Sequence, residues 1–275
     1  MPKVSVLMPV YKTNEQYLEE SIKSILAQTY KDFEFIILDD CPSDPREEVV
    51  KRFNDDRIVY LKNETNLGIS ASRNKLLQLA KGDYVAIFDH DDISLPTRLE
   101  KEVKVLDECP EIGVVSCNIQ LLSTLEVTDY PLCNNDIKIM MLQGNYVAHT
   151  GAMIRKSVLL KYNIQWEEQY TPEEDYVLWA RLLDKTMFLN LKEPLIQYRD
   201  LEGNTTHTRY HKMQDLDIIV KAMINQKFGY LKECGLSHKT YKWIYLFSLI
   251  PFIKIAKSSK HKKYFLFGFL PLLKI

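Results

Sequence analysis

Four short runs of strand-forming residues constrain this chain more than any other feature. Val4 to Val10, Phe33 to Leu38, Ile58 to Leu61 and Tyr84 to Phe88 are apolar almost throughout, as strands covered on both faces must be. Helical stretches separate them. Tyr17, Leu18, Ile22, Ile25 and Leu26 recur at helical spacing after Thr13-Asn14-Glu15-Gln16, which fits a capping box with Thr13 as N-cap. Asp44-Pro45 would open a second helix with proline at its first position, and Ile69 to Ala80 reads as a third. The order β-α-β-α-β-α-β with short connections predicts a mostly parallel sheet with helices on both faces. Ligands of such open sheets bind beyond the carboxyl ends of the strands.

Those ends carry the chemistry. Tyr11 follows the first strand, Asp39 and Asp40 the second, and Asp89, Asp91 and Asp92 the fourth. Three acids in four positions repel one another unless a cation sits among them. Asp89 and Asp91 are two apart, so an extended backbone projects them to one side, and Mg2+ takes one or two carboxylates plus substrate phosphates. A solvated acidic loop is the plainer alternative, but the convergence of three strand ends on one edge favours a metal site. There is no G-x-x-x-x-G-K-[ST] and no G-x-G-x-x-G. A bound nucleotide would not have its phosphates cradled by a glycine-rich loop, and a carboxylate-held metal would neutralise them instead.

Further along, a helix is expected after Pro96, a strand over Ile112 to Cys117, a short helix near Asp136 to Leu142 and a strand over Ala152 to Ile154. Thr171-Pro172-Glu173-Glu174 again fits a capping box, which gives Glu174 a structural task. Asp175 has none. It shares a helix face with Leu178, Trp179 and Leu182, and a carboxylate on an apolar face needs a reason. An acid/base role competes there with simple attraction to the helix N-terminus. Leu189 to Tyr198 contains a strand, Arg199 and His207 sit in or beside a polar loop, and Tyr210 to Phe228 reads as a helix.

A net charge of -1 gives no push toward nucleic acid. Five cysteines without a C-x-x-C pair suit a reducing compartment, and the N-terminus has no charged and apolar signal pattern. After Glu233 there is no Asp or Glu, while lysines recur among Trp, Tyr, Phe and Leu. A basic, aromatic stretch of this kind reads as a segment lying in a membrane interface, with packing on its own core or on a second subunit as the alternative.

These residues together resemble the inverting glycosyltransferases of family 2, which have the GT-A fold. The likeness covers roughly residues 3 to 200. It is carried by Val-Ser-Val-Leu-Met-Pro-Val-Tyr at 4–11, Ser-Ile-Leu-Ala-Gln-Thr-Tyr at 24–30, Ile-Leu-Asp-Asp-Cys-Pro-Ser-Asp at 37–44 and Asn-Leu-Gly-Ile-Ser-Ala-Ser-Arg-Asn at 66–74. It continues with Gly-Asp-Tyr-Val-Ala-Ile-Phe-Asp-His-Asp-Asp at 82–92 and Glu-Glu-Asp-Tyr-Val-Leu-Trp-Ala-Arg-Leu at 173–182. Each is common alone; their order and spacing are specific. The ending Leu-Phe-Gly-Phe-Leu-Pro-Leu-Leu-Lys-Ile resembles tails of bacterial lipopolysaccharide and capsule glycosyltransferases.

The resemblance implies a Rossmann-like α/β/α sandwich over 1–205, with a nucleotide-sugar half at 1–117 and an acceptor half at 118–205. A helical, basic and aromatic extension over 206–275 would associate with membrane. It implies a nucleotide-sugar donor, foremost a UDP-sugar, and Mn2+ or Mg2+. Pro9 and Tyr11 would line the nucleobase, Asp40 would hydrogen-bond it, and Arg73 and Asp89 would complete the donor site. Asp89, Asp91 and Asp92 would supply the metal ligands and Asp175 the general base. The acceptor would be a glycan or lipid-linked glycan of a surface polysaccharide. The place of action would be the cytoplasmic face of the inner membrane, with a homodimer as an open possibility. Two other classes stay open at this stage: a nucleotidyltransferase on a related fold, and a non-catalytic nucleotide-sugar-binding membrane scaffold.

Overall fold

The computed structural model describes residues 1–200 and 210–229, and the strand backbones at 240–246, 250–257, 262–266 and 270–274. The chain divides into two compact units, Met1–Ile224 and Asn225–Ile275.

In the first unit the four expected strands are β1 (Val4–Val10), β2 (Phe33–Asp39), β3 (Ile58–Lys62) and β4 (Tyr84–Ile87). They lie side by side as β3-β2-β1-β4, all parallel. β5 (Ile93–Ser94), β6 (Ile112–Leu121), β7 (Met153–Arg155) and β8 (Met187–Tyr198) extend the sheet to eight strands in the order β3-β2-β1-β4-β7-β6-β8-β5. β6 and β8 are parallel, so four of the seven pairings are parallel; β7 runs against both neighbours and β5 against β8. β6 passes unbroken through residues 117 and 118, and one sheet joins the two expected halves.

The reversed strand β7 matters for the site. Ala86 pairs with Met153, so the residues that precede β7 arrive at the carboxyl end of β4. The Ile87 N–H donates to the Ala152 carbonyl at 2.8 Å and the Asp89 N–H to the Thr150 hydroxyl at 3.2 Å. A chain segment remote in sequence is thereby brought against the three acids.

The helices are α1 (Glu15–Leu26), α2 (Glu47–Lys51), α3 (Ile69–Leu79), α4 (Arg98–Glu108), α5 (Asn134–Met140), α6 (Lys156–Tyr162), α7 (Glu174–Leu182) and α8 (Tyr210–Phe228). The core is the apolar inner surface of β1, β2 and β4 with Leu18, Ile22, Ile25, Leu99 and Leu106 packed on it. At the opposite end of the sheet from the acids, Gly82 is pressed so closely on β1 that an added Cβ would stand 2.6 Å from the Ser5 nitrogen. Its N–H donates to the Ser5 hydroxyl, which donates on to Glu34.

Three local expectations are corrected. Asn14, not Thr13, caps α1: its side-chain oxygen accepts from the Gln16 and Tyr17 N–H groups. Asn14 stands one residue nearer the helix, and its side-chain oxygen reaches the first free amides. α2 starts at Glu47 rather than at Pro45, because the Asp39 carboxylate holds the Arg46 N–H at 2.6 Å and fixes the entry there. α7 starts at Glu174 with no side-chain cap, and the Thr171 hydroxyl meets the Ser70 hydroxyl at 3.0 Å instead.

In the second unit, the described residues beyond α8 form an antiparallel sheet. Its strands are β9 (Thr240–Leu246), β10 (Ile250–Lys257), β11 (Lys262–Leu266) and β12 (Leu270–Lys274), in the order β12-β11-β10-β9. The expected helical extension is thus helix over α8 and strand further on. Pro251 and Pro271 oppose a helix interior, and Tyr, Trp, Phe and Ile suit a pleated backbone. Among the described residues no helix is long and apolar enough to cross a membrane.

Candidate active site

Tyr11 follows β1 with an exposed side chain, while Pro9 is buried in the strand opposite Leu38. The two acids after β2 are both occupied. Asp39 accepts from the Cys41 and Arg46 N–H groups and from the Tyr60 hydroxyl. Asp40 accepts from the Leu67 and Gly68 N–H groups, each at 2.8 Å, and from the Asn63 and Asn66 side-chain amides at 2.8 and 3.0 Å. Four donors fill the acceptor capacity of a carboxylate. Asp40 is the acid expected to hydrogen-bond the base; in the structure its carboxylate also builds the loop 63–68 that leads into α3.

Arg73, on α3, connects the parts of the site. It is buried, and its guanidinium forks between two acids that are far apart in sequence: Nη1 donates to Glu174 at 2.8 Å and Nη2 to Asp89 at 3.0 Å. Glu174 is therefore not a capping residue but the partner of Arg73. Asp175, next along α7, accepts from the Tyr176 N–H at 2.7 Å and from the Asn145 side-chain amide at 3.0 Å. It lies deep in the site yet keeps part of its surface open. Burial first, and then the neighbouring Glu174 carboxylate, pushes its acid up to about 7, against the pull of Arg73. Glu173 is pushed up to about 8 by burial and by Asp175. Burial, with a neighbouring carboxylate behind it, thus favours the protonated form of Glu173 and leaves Asp175 poised near neutral pH.

The acids after β4 separate into two environments. Asp89 and Asp91 keep 29% and 21% of their side chains exposed, enough for an ion to reach. Asp92 is fully buried, and one oxygen accepts from the Arg199 N–H at 2.9 Å. Burial raises both Asp91 and Asp92, the latter well above the usual carboxylate range. Arg199 clamps this loop: its Nε donates to the Asp91 carbonyl, Nη2 donates to Glu20, and its guanidinium stacks 4.1 Å from the centre of the Tyr17 ring. The sequence pattern placed Arg199 in a solvent-exposed loop; His207 lies outside the described residues. His149 is buried, and its Nε2 accepts from the Trp166 indole N–H at 3.0 Å. Burial and the charge of Arg73 push it well below the ordinary histidine range, so it is a neutral packing residue.

Among the described residues no three His, Cys, Asp or Glu side chains converge into a metal cage. Two partly open carboxylates fit an ion that completes its shell with phosphate oxygens and water. The structure brings Arg73, Asp89, Asp91, Glu174 and Asp175 to one edge of the sheet. Asn145 was missed, because it lies on a loop with no periodic pattern and its partner is 30 residues away.

Residues 5–162 match the sequence profile described as glycosyl transferase family 2, a span that contains every donor-side residue above. The chain belongs to this family. It is 32% identical over 267 residues to an uncharacterized glycosyltransferase of Methanocaldococcus jannaschii, covering 93% of this chain and 89% of that one. It is 26% identical to the UDP-Glc:alpha-D-GlcNAc-diphosphoundecaprenol beta-1,3-glucosyltransferase WfaP of Escherichia coli, covering 96% of this chain and 99% of the relative. Among solved structures, S. aureus TarS in complex with UDP-GlcNAc superposes with a TM-score of 0.68 at 20% identity, covering 81% of this chain and 66% of that one. That likeness is one of fold: the sheet and helices of the first unit are those of a GT-A glycosyltransferase. Family membership sets aside the nucleotidyltransferase reading.

Proposed function

We propose that this family 2 glycosyltransferase transfers a sugar, with inversion, from a UDP-sugar to a hydroxyl of a glycan or lipid-linked glycan in surface polysaccharide assembly. The observation that carries the reading is Asp175: a partly open carboxylate, pushed up to about 7, one residue from the Glu174–Arg73–Asp89 bridge that ties it to the donor side. The E. coli relative, named for a UDP-sugar donor and a diphospholipid-linked acceptor, supports the substrate classes.

In the proposed step, Asp175 removes the acceptor hydroxyl proton as that oxygen attacks the anomeric carbon. The bond from that carbon to the diphosphate oxygen breaks, and the nucleoside diphosphate leaves with the electron pair. Attack from the side of the base and departure on the other invert the centre. Tyr11 offers its exposed ring to the base, with Pro9 behind it. Asp40 acts through the loop it builds, and Arg73 fixes Asp89 and Glu174. Asp89 and Asp91 would hold Mn2+ or Mg2+, with Asp92 supporting their loop from beneath. When bound, the ion would neutralise charge on the leaving diphosphate. The basic and aromatic C-terminal stretch suits docking at the cytoplasmic face of the membrane that carries such acceptors.

The test is release of nucleoside diphosphate from a panel of sugar nucleotides with and without Mn2+. Metal-dependent release from one donor is expected. No release, together with no binding of UDP, GDP or dTDP sugars, would leave a non-catalytic scaffold as the better reading.

Asn145→Ala gives a finer check. The Asn145 amide donates to the charged form of Asp175 and so favours its ionisation. A hydrogen bond to a charged group is worth about 1.5 kcal/mol, or roughly one pK unit. Its loss should move the acid limb of kcat/KM to higher pH by about that much, with the rate at pH 9 largely kept. An unmoved limb would mean that Asn145 does not tune the base.

A further inference from the structure

Beside Asp175 stands an aromatic pair that neither the donor nor the base requires. Tyr130 precedes α5, and Tyr146 follows it. Their rings meet edge to face, with centroids 6.2 Å apart and planes at 84°. Both are only partly buried. Two loops with no regular structure hold them, yet neither loop is loosely held. Asn118 on β6 is buried and accepts from the Tyr130 N–H at 2.9 Å. Asn190 on β8 is buried and donates from one amide to the Pro131 and Tyr146 carbonyls, at 2.8 and 2.9 Å. A single asparagine thus pins both loops at once, next to the residues that carry the rings.

The same loops are tied to the base. Asn145, adjacent to Tyr146, donates to Asp175, and the Tyr176 hydroxyl donates to the Met141 carbonyl at 2.5 Å. Burial pushes the Tyr130 hydroxyl up to about 12, and the charge of Asp175 is the next contributor, which places that ring within its electrostatic reach. Buried polar groups spent on positioning two partly open rings describe a preorganised surface rather than a packed core.

We propose that Tyr130 and Tyr146 form the platform on which an acceptor pyranose stacks, so that one of its hydroxyls meets Asp175. The inference rests on the proposed glycosyl transfer and names the ligand of its acceptor side. The chemistry is that of an aromatic face: the ring carries negative charge density above and below its plane, and the C–H bonds on one face of a pyranose are polarised positive. The stacked sugar would keep its hydroxyls at its rim, free to meet Asp175 and Asn145. Donor contacts come from β1, β2, α3 and β4, and the platform belongs to a separate stretch of chain.

The experiment is saturation-transfer NMR with methyl glycosides of glucose, N-acetylglucosamine, galactose and mannose, each in the presence of saturating UDP. Irradiation of the aromatic protons is expected to transfer most strongly to one face of the ring protons of at least one glycoside. Tyr130→Leu and Tyr146→Leu, which keep an apolar side chain but lose the π-face, should weaken that binding at least tenfold. Tyr130→Phe and Tyr146→Phe should stay within about threefold of the parent. Binding that survives both leucine changes overturns the proposal, as does loss on phenylalanine equal to loss on leucine. A parent that binds UDP but none of the four sugars also overturns it. A parent that fails to bind UDP counts against the glycosyltransferase reading itself.

Discussion

Asp175→Asn is expected to lower turnover by about 10²–10⁴-fold, the range for removing a positioned general base. The effect should fall on kcat, with the donor KM little changed, because Asp175 acts on the acceptor proton and not on the diphosphate. Stability should behave differently. The carboxyl is raised from its ordinary value to about 7, so the folded state binds its proton more tightly than the unfolded chain does. Its stabilising influence is complete below the unfolded value and is lost as pH rises through about 7. Above that, the ionised carboxylate is held in a place that disfavours it, and an uncharged amide removes the penalty. Asn145 must turn to face the new side chain and would lose its 3.2 Å bond from the Val147 N–H, which offsets part of the gain. The melting temperature of the variant at pH 8 should therefore not fall. A variant that melts well below the parent and turns over normally would contradict both the assignment and the origin of the raised value.

Arg73→Ala should give the largest loss of stability of any single change at the site. It leaves Glu174 buried without its cation and removes a charge on α3 that favours ionised Asp175. Removing one member of a buried pair costs about 3–5 kcal/mol, read as a lowered urea midpoint. Activity should fall with it, because Asp89 loses its anchor and the base becomes a weaker acid. Arg73→Lys should recover less than half of the loss, since an ammonium cannot fork between two carboxylates. The double change Arg73→Ala with Glu174→Gln should be more stable than Arg73→Ala alone, which isolates the pair from general disruption. If Arg73→Ala unfolds within about 1 kcal/mol of the parent, the bridge is not what holds the two motifs together.

The parallel half of the fold was legible because its signals are local. Apolar runs of strand length, alternating with helical periodicity, need no distant partner to be recognised, and β1 to β4 lie within a residue or so of their expected bounds. Helix starts were less legible: Thr13 and Asn14 are both good caps, and only geometry chooses between them. The local pattern around Thr171 to Glu174 was misleading. Glu174 fits a capping box, yet its partner is Arg73, 101 residues away. The clamp by Arg199 on the acidic loop spans 107 residues, and the turn of β7 that delivers Asn145 depends on strand order, which periodicity does not encode. Asp40 shows a converse case. Its position was found, but its use by four internal donors could not be read from neighbours in sequence.

Asn190 suggests how this architecture can change its substrates. Groups that engage the nucleotide emerge from the ends of central strands, where a shift would disturb the whole sheet. The two tyrosines hang from backbone carbonyls gripped by one amide, and such a grip is indifferent to the side chains the loops carry. Side chains along 121–132 and at position 146 could thus be exchanged while the grip, Asn145, the base and the leaving-group side stay in place. A chain built this way can acquire a new glycan partner by substitutions in its loops, without relearning how to activate its donor.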